Sequence, residues 1–133
     1  MKKMLSAVFF GAMLLSLSAC SAGDGAERGY RSIPQDEAKE LMRTQNGCII
    51  LDVRTREEFE QAHIKGAVCI PNEEIGSTPP AELADKSQLI LVYCRSGNRS
   101  KQASAKLAAL GYTNILEFGG INTWTGETVS GES

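Results

Sequence analysis

The sequence lacks three features that would identify common classes of protein. Basic residues are not in excess, since 14 lysines and arginines stand against 16 aspartates and glutamates, and this balance argues against a nucleic-acid partner. No CxxC pair and no cysteine/histidine cluster has the spacing of a zinc site, so we expect no metal and no cofactor. The apolar run near the N-terminus, Met4 to Leu17, is too short and wrongly flanked for a membrane-spanning helix.

The N-terminus instead has the layout of a secretory signal peptide over residues 1–19, with two lysines before the apolar run and small residues after it. Its end resembles the bacterial lipobox, and the residues that carry the resemblance are Leu17-Ser18-Ala19-Cys20. The resemblance implies that Cys20 is acylated, by chains such as palmitate, and becomes the first mature residue. An ordinary signal peptide that happens to end at a cysteine is the alternative. Several acyl chains anchor a protein stably, so we expect an exported chain on the periplasmic or extracellular face of a bacterial membrane.

The rest of the chain divides into a tether, a domain and a tail. Small, polar and glycine-rich residues follow Cys20 as far as residue 29, and this composition is typical of a flexible tether. We expect one folded domain over residues 30–127 and a short tail over residues 128–133.

Strand and helix patterns alternate along the domain. Apolar and β-branched runs predict strands at 30–33, 48–53, 67–70, 89–93 and 115–116. Helices are predicted at 34–45, after the capping box at 55–58, and at 100–110, with single turns in the loop 72–85 and near Trp124. This order predicts an α/β fold with a central, mainly parallel β-sheet and helices on both faces.

Cys94 follows the predicted strand 89–93, at the carboxyl edge of the sheet, where parallel sheets bind ligands. A cysteine nucleophile reacts as the thiolate, which a free cysteine seldom forms at neutral pH. The next residues lead into a helix, so their backbone N–H groups and the positive helix end can surround an anion, and two arginines add charge. We therefore predict Cys94 as the nucleophile; a plain solvated turn is the alternative. The predicted binding loop for the thiolate and an incoming oxyanion consists of Arg95, Ser96, Gly97, Asn98 and Arg99.

The domain resembles the rhodanese family in segments that occur in the same order. These are Leu51-Asp52-Val53-Arg54 with Glu57, Glu58 and Phe59, His63-Ile64-Lys65-Gly66-Ala67 with Ile70-Pro71, the loop Cys94 to Arg99, and Gly119-Gly120 with Trp124. The resemblance implies a rhodanese-like fold and a sulfurtransferase. In such an enzyme Cys94 takes a sulfane sulfur from a small donor such as thiosulfate, forms a persulfide, and passes the sulfur to cyanide, a thiol or an unidentified protein acceptor. Asp52 and Arg54 follow a buried strand, and we expect their charges to pair with neighbouring residues or with the active-site loop, as the resemblance implies for Asp52, so that they support the site without contacting the substrate.

Two other functions stay open. Cys94 and Arg99 enclose four residues, whereas related cysteine phosphatases and arsenate reductases use a loop one residue longer, so the family comparison favours sulfur over phosphate. A rhodanese fold can also serve as a non-catalytic module that binds a partner protein or a sulfur carrier, because a fold does not guarantee an activity.

Several other reactive residues are expected to be structural. His63, the single histidine, lies in a segment that orders the chain before a strand. Glu57, Glu58 and Glu60 are expected on a solvated helix face, since acidic residues favour the first turn of a helix.

Cys48 and Cys69 lie in apolar runs, where cysteine packs as a small apolar side chain. A disulfide between them, which an oxidising compartment would permit, is the alternative. Trp124 is expected to be a core or lid aromatic.

Overall fold

The structure is a computed structural model and describes residues 29–132. The predicted signal peptide, Cys20 and nearly all of the predicted tether lie outside the described residues, as does Ser133. Within the described range, every helix is too short or too polar to cross a bilayer.

Five parallel strands form the central sheet: β1 Arg31–Ser32, β2 Ile49–Asp52, β4 Val68–Cys69, β5 Ile90–Cys94 and β6 Ile115–Gly120. From one edge of the sheet to the other, their order is β1-β6-β5-β2-β4. The predicted parallel sheet is confirmed, and all five predicted strands are present. An antiparallel pair of β3 (His63–Ile64) with β7 (Thr128–Val129) was not predicted, because two-residue strands are too short to show a periodic pattern.

Three α-helices connect the strands: α1 Gln35–Thr44, α2 Arg56–Gln61 and α3 Asn98–Ala109. Helix α2 begins at the predicted capping box, in which the Thr55 hydroxyl accepts from the Glu58 amide and the Glu58 carboxylate accepts from the Thr55 amide. Single 3-10 turns occupy Asn72–Glu74 and Ile121–Thr123, where the sequence predicted helical turns.

Helices cover both faces of the sheet, and β5 shows how the two cores divide. All five of its residues are buried, and successive side chains alternate between the faces. Ile90, Val92 and Cys94 pack on the face that α3 covers, whereas Leu91 and Tyr93 pack on the face that α1 and α2 cover. The alternation therefore places the Cys94 side chain on the α3 side.

Two predicted boundaries at the carboxyl edge were wrong by a few residues. Cys94 is the last residue of β5 rather than the residue after the strand, and α3 begins at Asn98 rather than at Ser100. The helix starts early because Gly97 adopts φ +113°, a left-handed conformation that turns the chain within a few residues. Strand β6 also extends past its predicted end at residue 116. The prediction ended there because Glu117 and the two glycines interrupt the apolar pattern.

The chain enters the domain beside the C-terminal part of α3. Gly29 lies so close to this helix that a Cβ atom at position 29 would be 2.6 Å from the Cβ of Ala108. Tyr30, the next residue, is buried in the same core as Leu107.

Candidate active site

The sulfur of Cys94 lies inside the turn that joins β5 to α3. Its Sγ accepts a hydrogen bond from the Gly97 amide at 2.9 Å and lies 3.5 Å from the Ser100 hydroxyl oxygen. The residue is 1% exposed. The left-handed conformation of Gly97 turns the loop back on itself, so that a backbone N–H group points at the sulfur.

These contacts lower the pKa of the Cys94 thiol below its ordinary value. Burial alone raises this pKa, but hydrogen bonds from the Ser100 side chain and from the backbone amides of Ser100, Gly97 and Ser96 outweigh it. The thiolate is therefore more populated at Cys94 than at an unperturbed cysteine, as a nucleophile requires.

Strand β6 supports the loop from behind. A Cβ atom at position 120 would lie 2.0 Å from the carbonyl oxygen of Arg95, so only glycine fits at Gly120. The Asn122 amide donates to the same carbonyl at 3.2 Å. The side chains of Arg95, Ser96 and Asn98 are exposed around the buried sulfur.

Arg99, predicted as an anion-binding residue, is held by a carboxylate of α2. Its two terminal nitrogens donate to the two oxygens of Glu58 at 2.8 and 3.0 Å. This pairing is the main cause that lowers the pKa of Glu58 from 4.5 to about 2. The prediction of a solvated helix face was therefore wrong for Glu58, whereas Glu57 and Glu60 are exposed.

Asp52 and Arg54 form an ion pair on the opposite face of the sheet from Cys94. Arg54 donates to Asp52 through Nη2 at 2.6 Å, and the Tyr93 hydroxyl donates to Asp52 at 2.6 Å. Arg54 also donates to the Ala62 carbonyl at 2.6 Å, which ties the two ends of α2 together. Asp52 and Arg54 therefore support the loop only indirectly, by fixing the helix that carries Glu58.

Two other residues, His63 and Trp124, make their contacts away from the nucleophile. His63 is fully buried, stacks on Phe59 at a centroid distance of 3.6 Å, and has its Nδ1 atom 2.7 Å from the Phe59 carbonyl oxygen. Trp124 packs against Phe118 at 5.6 Å in the core under α1. These contacts give His63 and Trp124 packing roles.

Cys48, Cys69 and Cys94 are all free, so the alternative of a Cys48–Cys69 disulfide is not realised. Burial raises the pKa of Cys69 to about 11 and also raises the pKa of Cys48. Among these three cysteines, only Cys94 has a lowered pKa. Within residues 29–132, no group of three or more histidine, cysteine, aspartate or glutamate side chains could hold a metal ion.

The sequence interpretation missed two residues behind the sulfur, Ser100 and Glu117. The Ser100 hydroxyl is 2.7 Å from the Glu117 carboxylate, and both residues are buried. The available signal for Glu117 was a charged residue inside the apolar stretch Ile115 to Phe118. No comparable signal marked Ser100, which is one of several small polar residues near the start of α3.

Comparison with known proteins supports what the geometry indicates. The family described as Rhodanese-like domain matches residues 34–127. Thiosulfate sulfurtransferase PspE of Escherichia coli is 37% identical over 71 residues, which cover 53% of this chain and 68% of that protein. Thiosulfate sulfurtransferase GlpE of Pseudomonas putida is 31% identical over 96 residues, which cover 71% of this chain and 84% of that protein.

A solved structure described as a rhodanese with anions from Escherichia coli shares the fold. It superposes with a TM-score of 0.58 at 34% sequence identity and covers 62% of this chain and 98% of its own. The family match extends over most of the chain and includes the strands, the helices and the Cys94 loop. The chain therefore belongs to the family of rhodanese-like domains.

Proposed function

We propose that the chain is a sulfurtransferase that carries sulfane sulfur as a persulfide on Cys94. The observation that supports this most directly is the 2.9 Å hydrogen bond from the Gly97 amide to Sγ, inside a loop at the carboxyl edge of a parallel sheet. PspE and GlpE, which are named thiosulfate sulfurtransferases, are consistent with the same chemistry.

In the first step, the Cys94 thiolate attacks the outer sulfur of a donor such as thiosulfate. A sulfur–sulfur bond forms on Cys94, the sulfur–sulfur bond of the donor breaks, and sulfite leaves with the electron pair. The N-terminus of α3 and the exposed side chain of Arg95 favour the approach of the anionic donor.

In the second step, a thiophilic acceptor such as cyanide or a thiolate attacks the outer sulfur of the persulfide. The bond to Cys94 breaks, and its electron pair returns to Sγ, which leaves as a thiolate. The hydrogen bonds from Gly97 and Ser100 that stabilise the attacking thiolate also stabilise the leaving one.

Mass measurement after incubation with thiosulfate tests this proposal. We expect the full chain to gain the mass of one sulfur atom, and cyanide to remove it. Cys94→Ser should gain nothing, whereas the matched control Cys69→Ser should gain sulfur like the wild type, because the raised pKa of Cys69 leaves its thiol unreactive. A gain that survives Cys94→Ser would contradict the proposal.

A second candidate is a non-catalytic module that binds a partner or a sulfur carrier. The pairing of Arg99 with Glu58 favours it, because a guanidinium that is already paired is less available to an anionic donor. Background turnover with several sulfur donors, together with tight binding of a protein partner, would favour this candidate.

Phosphatase or arsenate reductase activity is disfavoured by the loop length and is checked with a phosphate ester.

We further propose that the chain is exported and anchored to a membrane through acylated Cys20. The support is the sequence of residues 1–20, with its lysines, apolar run and lipobox-like end. Growth with labelled palmitate should label the wild type and not Cys20→Ala. Equal labelling of both, or none of the wild type, would contradict the anchor.

A further inference from the structure

The guanidinium group of Arg99 is engaged by a carboxylate before any donor arrives. Its two terminal nitrogens donate to the two oxygens of Glu58 at 2.8 and 3.0 Å, and both side chains are 28% exposed. The pairing is the main cause that lowers the pKa of Glu58 to about 2, so this carboxylate is ionised at neutral pH. A bidentate pair of this kind fixes the orientation of the guanidinium group and also offsets its charge.

Glu58 is itself fixed by the capping box of α2. Its Oε1 atom lies 3.2 Å from the Thr55 hydroxyl oxygen and accepts from the Thr55 amide at 3.4 Å. The carboxylate therefore cannot turn away from Arg99 without breaking the cap. The position of the Arg99 side chain is thus set by the start of α2 as well as by its own helix.

Arg99 is close enough to the nucleophile for its charge to matter there. The hydrogen bonds to Glu58 are the main cause that raises the pKa of Arg99, and the negative charges of the Cys94 thiolate and of Glu73 add to the rise. The sulfur therefore lies within electrostatic reach of a cation whose charge is offset by carboxylates.

The start of α2 and the turn Asn72–Glu74 together carry more carboxylates than cations. Arg56, the cation of this region, pairs with Glu74 at 2.8 Å. Glu57 and Glu73 are exposed, and neither forms an ion pair within residues 29–132. An anionic donor on this side of the loop therefore meets a net negative charge, and the repulsion doubles when the donor carries two negative charges instead of one.

We propose that Glu58 is a specificity-determining residue that favours sulfur donors with one negative charge over donors with two. By offsetting the charge of Arg99, it leaves Arg95 and the N-terminus of α3 to attract the donor, and this attraction suits a single charge. Thiosulfate can still load Cys94, but more slowly than it would without Glu58. Glu58 is a positioning residue, because it acts on the donor through Arg99.

This inference deepens the proposed sulfur transfer and rests on it. A thiosulfonate is a donor of the favoured class. The Cys94 thiolate attacks its outer sulfur, a sulfur–sulfur bond forms on Cys94, the sulfur–sulfur bond of the donor breaks, and a sulfinate leaves with the electron pair. The charge of the leaving group is then one, instead of the two that sulfite carries away from thiosulfate.

Rates of sulfur loading with two donors that differ by one charge test the inference. Thiosulfate carries two negative charges and methanethiosulfonate carries one, and mass spectrometry of the full chain follows the sulfur gained on Cys94. Glu58→Gln removes the charge that offsets Arg99. Because the attraction is proportional to the charge of the donor, the rate should rise roughly threefold with methanethiosulfonate and roughly tenfold with thiosulfate. The ratio of the thiosulfate rate to the methanethiosulfonate rate should therefore rise roughly threefold.

Glu57→Gln is the matched control, because it removes the same charge from the same turn of α2 and leaves Arg99 paired. Its ratio of rates should stay at the wild-type value. Adding Arg99→Gln to Glu58→Gln should also return the ratio to that value, because the gain requires the free guanidinium group. Both rates are measured on one sample, so unfolded protein or a changed reactivity of the thiolate cancels in their ratio.

A ratio that is unchanged in Glu58→Gln, that rises equally in Glu57→Gln, or that stays raised in the double variant would overturn the inference. Iodoacetate and iodoacetamide also differ by one negative charge, and they alkylate Cys94 without any sulfur transfer. Their ratio of rates, followed on the Cys94 peptide, should likewise rise roughly threefold in Glu58→Gln. A raised alkylation ratio without sulfur loading would contradict only the proposed function, and sulfur loading with unchanged ratios would contradict only the selection of donor charge.

Discussion

Two polar clusters lie in the apolar interior, one on each side of the central sheet. The Asp52 cluster (Asp52, Arg54 and Tyr93) contains a carboxylate with a full positive charge beside it. The Cys94 cluster (Cys94, Ser100 and Glu117) contains a carboxylate with only neutral donors. In the Asp52 cluster, Arg54 neutralises the carboxylate and also holds the Ala62 carbonyl, whereas in the Cys94 cluster the Glu117 carboxylate accepts hydrogen bonds from uncharged groups. Two equally buried carboxylates of one domain therefore differ in their partners: Asp52 has a cation, and Glu117 has neutral donors, one of which contacts the nucleophile.

The largest effect is expected from breaking the Asp52 cluster. Arg54→Met leaves Asp52 buried without its cation and should lower the free energy of unfolding by about 3–5 kcal/mol, measured by urea denaturation. Arg56→Met is the matched control, because its ion pair with Glu74 is exposed, and it should cost about 0.5 kcal/mol. Equal losses in the two variants would show that the Asp52 cluster does not have the structural role assigned to it.

Gly120→Ala is expected to lower the free energy of unfolding less than Arg54→Met does, but to reduce sulfur loading of Cys94 strongly. The new Cβ would collide with the Arg95 carbonyl, so the loop has to move, at a cost of about 1–3 kcal/mol. Because the Gly97 amide would lose its place at Sγ, sulfur loading of Cys94 should fall sharply. Gly76→Ala has open space around it and is the control. Normal loading of Gly120→Ala would contradict this account.

The smallest effect is expected from Glu58→Gln, which breaks a partly exposed ion pair instead of a contact in one of the two buried clusters. Glutamine keeps the capping box but loses the charge that faces Arg99, so the variant should be about 1 kcal/mol less stable at neutral pH. The folded-state pKa of Glu58 is depressed, so the stabilisation is present above pH 4.5 and is lost as the pH falls toward about 2.

Urea denaturation at several pH values checks this prediction, with the exposed Glu57→Gln as the control. The gap between wild type and Glu58→Gln should narrow with acidification. A gap that is independent of pH would mean that the ion pair with Arg99 is not its cause.

The sequence was sufficient for the parts of the fold that repeat a local pattern. The buried strands at Ile49–Asp52 and Ile90–Cys94 are continuous apolar runs, and the loop that begins at Cys94 has a distinctive spacing. Its residues were predicted as neighbours because they adjoin in the chain.

Contacts between segments that are far apart in the chain could not be predicted from the sequence. Glu58 and Arg99 are separated by 41 positions and meet only because α2 packs beside the start of α3. Glu117 is opposite Ser100 only because β6 lies next to β5 and continues past an interruption in its apolar pattern. Both contacts depend on how whole elements are arranged, and no local pattern encodes that arrangement.

The close approach of Gly29 to Ala108 shows where the described part of the chain begins relative to Cys94. Gly29 lies near Ala108 at the C-terminal end of α3, whereas Cys94 lies just before its N-terminal end, and Asn98 and Ala108 are about 15 Å apart along the helix at 1.5 Å per residue. Gly29 and the nucleophile therefore lie near opposite ends of α3. A sulfur donor therefore reaches Cys94 at one end of α3 without passing Gly29, where the described part of the chain begins, at the other end.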